Sequence, residues 1–129
     1  MANPNIVSVA TILGGNAGWN LSNTLTTTLV TVTAEYVVKI NRITCANVHA
    51  TDAASLNLYV DGMGSGTTGV STTGANATVY LAKTISVPND ASLVVLDTPI
   101  YLMEGDILKG GSSSTGSLDL FISYETIID

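Results

Sequence analysis

Hydrophobic residues occupy every second position over long parts of this chain, which is the spacing of β-strands that turn one face toward a core. In the second half, residues 79–87 and residues 117–125 both follow this alternation. Turn formers in residues 88–92 and 99–106 interrupt the pattern and leave a short apolar segment, residues 93–96, between them. These segments predict a succession of β-hairpins. The predicted core faces hold Val79, Leu81, Ile85 and Val87 in the first segment and Leu118, Leu120, Ile122 and Tyr124 in the last.

The first half of the chain predicts strands with less regular faces. Residues 6–13 carry apolar side chains on both faces, so this strand is either central in its sheet or covered by a partner. Residues 14–20 are rich in glycine and predict a loop, in which Trp19 either closes one end of the core or anchors an interface. Residues 24–33 predict a threonine-dense strand. Residues 1–20 are therefore a candidate arm that contacts neighbouring molecules.

A longer strand, predicted over residues 36–48, requires an irregularity. Its apolar positions step from Ile40 to Ile43, an odd interval that would turn the second side chain to the opposite face of a regular strand. A β-bulge near Asn41 and Arg42 restores the register. The bulge keeps both isoleucines on one face.

The remaining segments complete a pattern of short strands and turns. Leu56, Leu58 and Val60 alternate with polar residues and predict a half-buried strand. Residues 62–76 form a long uncharged loop, and residues 110–116 form the loop of the last hairpin. About seven to nine strands with regularly spaced turns are typical of a sandwich or a small barrel. The whole chain is therefore predicted to be one all-β domain, an antiparallel β-sandwich of jelly-roll-like type.

The composition supports this fold and limits the partners. Serine and threonine supply 30 residues, whereas glutamate, lysine, arginine and glutamine supply seven, too few to clothe the outer faces of helices. Four basic residues and a net charge of −6 remove the cationic surface that nucleic acid binding needs. The sequence holds neither a long apolar run nor a secretory signal, which predicts no membrane partner and synthesis in a cytosol.

The scarcity of charge predicts contact with other proteins. Only 11% of the residues are charged, against about 25% in an ordinary soluble domain. Threonine, serine and asparagine can contact another protein without the desolvation cost of an ion. The single cysteine, Cys45, excludes an internal disulfide, so packing, hydrogen bonds or neighbouring subunits must hold the fold.

No constellation of residues predicts catalysis or metal binding. His49 is the only histidine, and Asp52 alone does not supply the pocket that a general base needs. Cys45 lies on the apolar phase of its strand, which predicts a buried and inert thiol. Glu104 and Asp106 fit a β-turn better than a calcium site. We therefore predict that the protein is not an enzyme and has no catalytic residues, no metal site and no cofactor.

Three sequence features lie in roughly the last two-fifths of the chain. They are the break at residues 87–88, the turn at residues 100–106 and the ending at residues 122–125. With the segments around them, residues 80–108 and 118–125 resemble small virion structural proteins of tailed bacteriophages, notably of marine and cyanobacterial phages. The first seventy residues contribute no motif to this resemblance.

The resemblance implies a β-sandwich protein without an enzymatic role, made in a host cytoplasm and added to the capsid, neck or tail of a virion. We expect a capsid decoration or cement protein that stabilises the phage head, and a neck or tail protein is the alternative. The expected partners are copies of itself, favoured as a trimer, and the major capsid protein or other virion proteins. The acidic balance favours an outer position, away from packaged nucleic acid of the same sign. The candidate interface residues are Ile6, Val7, Val9 and Trp19.

A carbohydrate- or receptor-binding jelly-roll module is the alternative from another class. Sugar sites present an aromatic platform beside polar groups, and the one tryptophan and five tyrosines of this chain are scattered along its sequence. A cupin-like metal oxidase ranks third, because such a site needs several histidines. A glycan titration that follows the fluorescence of Trp19 would discriminate the first of these alternatives from a structural protein.

Overall fold

A computed structural model describes residues 11–63 and 77–128, and within these ranges the regular structure consists of β-strands alone. The strands are β1 (Thr11–Asn20), β2 (Thr28–Thr31), β3 (Tyr36–Asn47), β4 (Ala54–Asp61), β5 (Val79–Val87), β6 (Ser92–Leu96), β7 (Ile100–Leu102), β8 (Ile107–Ser112) and β9 (Leu118–Ile128). Over the same ranges, the chain contains no helix of the length and apolarity needed to cross a membrane.

The nine strands form two antiparallel sheets that pack as a sandwich. Sheet A has the order β1-β9-β3-β6, with β7 also paired to β3, and sheet B has the order β2-β8-β4-β5. The first four strands alternate between the sheets, β9 and β8 are inserted between the earlier strands of sheets A and B, and β6 and β5 lie at the edges, which is the strand order of a jelly roll. The predicted fold class, an all-β antiparallel β-sandwich of jelly-roll-like type, is confirmed.

The core lies between the two sheets and takes its largest side chains from their central strands. Burial of such aliphatic side chains is the main source of stability in a domain of this kind. The fully buried residues include Ile40, Ile43 and Cys45 on β3, Leu56 and Leu58 on β4, Leu108 on β8, and Leu118, Leu120 and Ile122 on β9. The predicted core face of the last strand is confirmed for its three aliphatic residues, and Tyr124 packs against the cluster from its margin.

The predicted bulge in the third strand is present. The pairing of β3 with β9 shifts register between Ile40 and Arg42, so that one residue of β3 has no opposite partner. Ile40 and Ile43 are both 0% exposed. The extra residue thus returns the second isoleucine to the core face, as the odd spacing requires.

The first described strand corrects the sequence prediction. Residues 14–20 are strand and not loop, because every residue of β1 from Thr11 to Asn20 pairs with a residue of β9. Gly15 fits here for a steric reason, since a Cβ at this position would lie 2.8 Å from the ring of Tyr124. Pairing with β9 therefore overrides the turn preference of the glycines. Residues 6–10, the rest of the predicted first strand, lie outside the described residues.

Two other boundaries differ from the prediction. The strand expected over residues 24–33 is limited to β2, and the strand β8 continues to Ser112, into the loop expected over residues 110–116. Gly110 belongs to this strand because β8 lies against β4 there, and a Cβ would stand 2.2 Å from the backbone oxygen of Asn57. Of the loop expected over residues 62–76, residues 64–76 lie outside the described part of the chain.

Burial on sheet B also departs from the alternation. On β4, Asn57 and Tyr59 are buried along with the apolar residues between them, because β4 lies between β8 and β5. On β5, by contrast, only Ala82 and Val87 are buried. This strand ends the sheet and is bulged twice, so its other predicted core residues remain at least one-third exposed. They are Val79, Leu81 and Ile85.

Candidate assembly surface

The sandwich has two flanks, and each is formed by strands at the edges of the sheets. We call the side bounded by β1 of sheet A and β2 of sheet B the β1/β2 flank. The opposite side, bounded by β5 of sheet B and by β6 and β7 of sheet A, is the β5/β6 flank. An edge strand exposes unpaired backbone N–H and C=O groups that can pair with another chain. The flanks are therefore the natural places to search for a contact surface.

Three of the edges carry features that discourage pairing. β2 has four residues and β6 has five, and both are irregular in register with their neighbours. β5 shifts register twice against β4, and Thr84 within it has a positive φ of 53°. Shortness and bulges are the usual protection of sheet edges. These edges are poor templates for an added strand.

The edge of β1 lacks such protection. Its ten residues pair with β9 in unbroken register, from Thr11 opposite Ile128 to Asn20 opposite Asp119. The strand contains no proline and no charged residue. Ile12 and Leu13, near its start, are each 53% exposed. Of the edges that the structure describes, β1 offers the longest regular template.

Charge is distributed unequally between the flanks. The first 34 residues, which include both β1 and β2, contain no Asp, Glu, Lys, Arg or His, and Glu35 is the first charged residue. The edge strands of the β1/β2 flank are therefore free of charge. On the other flank, Lys83 lies within β5, and Asp90 and Asp97 lie on either side of β6. This contrast could be read from the sequence, but only the sheet order places the two uncharged strands on one flank.

A cleft of about 350 Å³ opens between the sheets at the β1/β2 flank. Its lining is mainly apolar and includes Trp19 from β1, Leu29 from β2, Tyr36 from β3 and Tyr124 from β9. Trp19 is half-buried and packs against the margin of the core cluster. It therefore contacts both the core and the cleft. The other candidate interface residues, Ile6, Val7 and Val9, lie outside the described residues, so the interface assignment stays a prediction.

The β5/β6 flank has a smaller cleft of about 210 Å³. Tyr101, which is 57% exposed, lines it together with Val79, Leu81 and Asp106. Burial raises the pKa of Asp106, while the hydrogen bond that its Oδ2 accepts from the Met103 amide (2.9 Å) acts in the opposite direction. This carboxyl group closes the turn between β7 and β8, as the sequence pattern predicts.

Two tyrosines that are distant in the sequence meet on sheet B. Tyr59 on β4 lies opposite Tyr80 on β5, with ring centroids 5.1 Å apart and ring planes inclined by 41°. The Nζ atom of Lys83 lies 5.2 Å from the centroid of the Tyr80 ring. Tyr80 is 47% exposed. The strand register brings these rings together, and no sequence signal indicated that two of the five tyrosines would cluster.

An ion pair adjoins the two tyrosines, because Lys109 on β8 lies opposite Tyr59 and Asp61 ends the same strand, β4. The Oδ2 atom of Asp61 accepts a hydrogen bond of 2.9 Å from Nζ of Lys109, and its Oδ1 atom accepts hydrogen bonds from the Thr78 hydroxyl (2.7 Å) and the Gly62 amide (2.9 Å). The bond from Thr78, and then those from Lys109 and Gly62, lower the pKa of Asp61 to about 2. The same pairing raises the pKa of Lys109. Asp61 is therefore a fixed carboxylate at neutral pH.

The residues weighed for catalysis have local structural roles. Nδ1 of His49 accepts hydrogen bonds from the amides of Thr51 (3.2 Å) and Asp52 (3.0 Å), so the ring closes a turn after β3. Cys45 is fully buried, as predicted, and desolvation, followed by the charge of Asp119, raises the pKa of its thiol to about 11. In residues 11–63 and 77–128, no three or more His, Cys, Asp or Glu side chains are grouped to hold a metal ion.

The arrangement that stands out is thus a surface for contact: a long, regular, uncharged strand edge beside an apolar cleft. Comparison with known proteins adds no relative to this description, since the chain matches no family model, no curated protein and no solved structure.

Proposed function

We propose that this protein is a non-enzymatic structural component of a bacteriophage virion, and that it decorates and stabilises the capsid. The observation that carries the proposal is the unprotected ten-residue edge of β1 on a flank without charged edge strands. A long uncharged edge on a free monomer is a site of aggregation unless another chain covers it. Assembly into a particle provides that cover.

The sequence resemblance supplies the kind of particle. Residues 80–108 and 118–125, which resemble phage virion structural proteins, extend from β5 to β9 and include the fully buried Leu108 of β8 and Leu118, Leu120 and Ile122 of β9. The resembling part thus forms the strands of the β5/β6 flank and part of the centre of both sheets. The β1/β2 flank lies outside the resembling part. The proposed contact surface and the part that resembles other virion proteins therefore occupy different parts of the chain.

The copy number in purified virions tests the proposal. Quantitative mass spectrometry of particles from the phage that encodes this chain should detect hundreds of copies for a protein of the head lattice, and about a dozen for a neck or tail ring. The major capsid protein, measured in the same digest, provides the internal standard. Complete absence from washed particles would reject the virion assignment.

The predicted N-terminal contact can be tested with a shorter deletion than the predicted arm suggests. Removing residues 1–20 would remove all of β1 and expose β9, so loss of incorporation would have two explanations. Removing residues 1–10 leaves every pair between β1 and β9 in place. If Ile6, Val7 and Val9 contribute to the contact, this shorter deletion weakens incorporation while the circular dichroism spectrum stays unchanged.

A second candidate function, recognition of carbohydrate, is favoured by one observation. Tyr80 presents a half-exposed ring beside Tyr59, Lys83 and the Asp61–Lys109 pair, which together combine an aromatic surface with charged hydrogen-bonding groups. Part of the aromatic platform that a sugar site needs is therefore present, although its tyrosines are distant in the sequence. A glycan array probed with wild-type protein and with Tyr80→Ala tests this function, and Tyr101→Ala, an exposed tyrosine on sheet A, is the matched control. Binding that only the Tyr80 variant loses would support recognition through this face.

A further inference from the structure

We propose that two copies of this protein pair through their β1 strands, antiparallel and about a two-fold axis, so that sheet A continues from one copy into the other. The proposal rests on the proposed function and deepens it, since it names the partner of the uncovered edge. It concerns the contact between copies of the chain, and leaves the contact with the capsid separate.

The backbone of β1 is prepared for such pairing. Ten consecutive residues are already held straight by β9, from Thr11 to Asn20. An added strand would therefore meet an ordered row of backbone donors and acceptors, and no local folding would be needed before pairing. The side chains offer little obstruction, because three of the ten residues of β1 are glycines, Gly14, Gly15 and Gly18.

Charge favours a second copy as the occupant. The chain carries a net charge of −6, so two copies repel each other at most orientations. The β1/β2 flank is the exception, because neither of its edge strands carries a charge. Pairing β1 with itself brings no like charges opposite each other within the strand, whereas pairing through β6 would bring Asp90 and Asp97 of both copies to one contact. Two acidic copies can thus approach most easily at β1.

The side-chain pattern of β1 is compatible with two-fold pairing. In an antiparallel pair about a two-fold axis, opposite residues lie on the same face, and the odd-numbered residues from Leu13 to Trp19 stay on the cleft side in both copies. An axis at Gly15 or at Asn16 places Leu13 opposite Ala17 or Trp19 of the second copy. Leu13 is 53% exposed in the single chain, and both of its opposite residues line the cleft.

The two clefts would then adjoin across the axis. Each cleft lies between β1 and β2 of its own copy, and continuation of sheet A covers the open side of both. Apolar contact between Leu13 and Trp19 adds burial to the backbone hydrogen bonds of the paired edge. The product is a two-fold unit with two sandwiches side by side, a shape suited to a protein that spans the joint between neighbouring capsid subunits.

Sedimentation of the purified full-length chain tests the pairing. The wild type should sediment at twice the 13.3 kDa mass of the chain over a wide concentration range. Asn16→Lys places a positive charge at the centre of the paired edge in both copies, and it should raise the dissociation constant by about tenfold or more, since like charges directly opposite are destabilising. Ser86→Lys, an exposed position on the edge strand β5, is the matched control and should leave the dimer intact.

A thiol cross-link tests the geometry independently of stability. Asn16→Cys should be joined to its own copy by a short bifunctional maleimide, because the residue lies at or next to the axis. Ser86→Cys should remain uncrosslinked under the same conditions. The native Cys45 is fully buried and does not compete for the reagent. Circular dichroism of all variants verifies that they are folded.

Several results would overturn the pairing: a wild type that is monomeric at every concentration, a trimer, or equal cross-linking of both cysteine variants. A dimer that survives Asn16→Lys but is lost on deletion of residues 1–10 would assign the contact to the N-terminal segment instead. The proposed function fails separately, because it depends on the presence of the chain in virions. A dimeric chain that is absent from particles rejects the function alone, and a monomeric chain found in particles rejects the pairing alone.

Discussion

At the β5/β6 flank the edge strands are short or bulged and have charged residues within or beside them, whereas at the β1/β2 flank β1 runs straight for ten residues without a charge. Both flanks open into a cleft, so the presence of a cleft does not distinguish them, whereas the edges do. A jelly-roll-like sandwich necessarily leaves strand edges at both sides. This chain protects the edges of one side by irregularity and leaves one edge of the other side, β1, regular.

The difference indicates how a single fold can combine a solvent-facing side with an assembling one. Bulges and charges prevent association of the β5/β6 flank at little cost to the core, because they lie at the margin of the sheets. The β1/β2 flank keeps the regular backbone that another chain needs for pairing. Substitutions that affect one flank and spare the other can therefore test the distinction.

The largest effect on stability is expected in the central strands of sheet B, β8 and β4, which lie between the two flanks. Gly110→Ala should lower the free energy of unfolding by about 3 kcal/mol or more, because the new Cβ would stand 2.2 Å from the backbone oxygen of Asn57. Chemical denaturation followed by circular dichroism measures the loss. A stability equal to that of the wild type would show that β8 and β4 are less closely paired than described. These two strands would then not support the edge strands of both flanks.

The clefts of the two flanks provide the next comparison. Trp19→Ala should lower the free energy of unfolding by about 2–3 kcal/mol, since Trp19 packs against the core cluster. Tyr101→Ala, at the other cleft, should cost less than about 0.5 kcal/mol, since the side chain is 57% exposed. Thermal unfolding at low protein concentration compares the two. Equal losses would mean that the cleft of the β1/β2 flank is no more closely packed against the core than the cleft of the β5/β6 flank.

The acid stability of the protein should reveal the ion pair of sheet B. Because the pKa of Asp61 is lowered from 3.8 to about 2 in the fold, its contribution to stability is fully present above pH 4 and is lost as the pH falls toward 2. The difference in stability between the wild type and Asp61→Asn should therefore shrink over that interval. Urea unfolding at pH 7, 4, 3 and 2 measures it, with Asp97→Asn as the control. A difference that is constant with pH would exclude this ionic contribution.

The smallest effect is expected at the uncovered edge. Gly14→Ala should leave the free energy of unfolding unchanged or raise it by about 0.5 kcal/mol, because the added Cβ meets nothing within 4 Å and alanine loses less entropy than glycine. Gly110→Ala serves as its matched comparison at a covered position. Destabilisation by more than about 1 kcal/mol would mean that the face of β1 at Gly14 is packed against other residues.

Much of the fold was predictable because its pattern is local. The alternation of β9 and the odd step from Ile40 to Ile43 specify which side chains face the core, and the bulge follows from that requirement alone. The end of β1 was predicted wrongly for the opposite reason. Glycine in residues 14–18 signals a turn when only the neighbours in sequence are considered, and the ladder with β9, a hundred residues later, decides otherwise.

The candidate surface was likewise predictable only in its local features. The sequence indicated that the chain is poor in charge and that Trp19 closes the core or anchors a contact. It could not indicate that β1 and β2 share a flank, that Tyr59 meets Tyr80, or that β5 is bulged at its edge, because these depend on register and sheet order. Residue types and their period thus determined the class of fold and its core. Long-range pairing decided which edges stay open, since backbone hydrogen bonds are made between segments whose proximity is not encoded in any one of them.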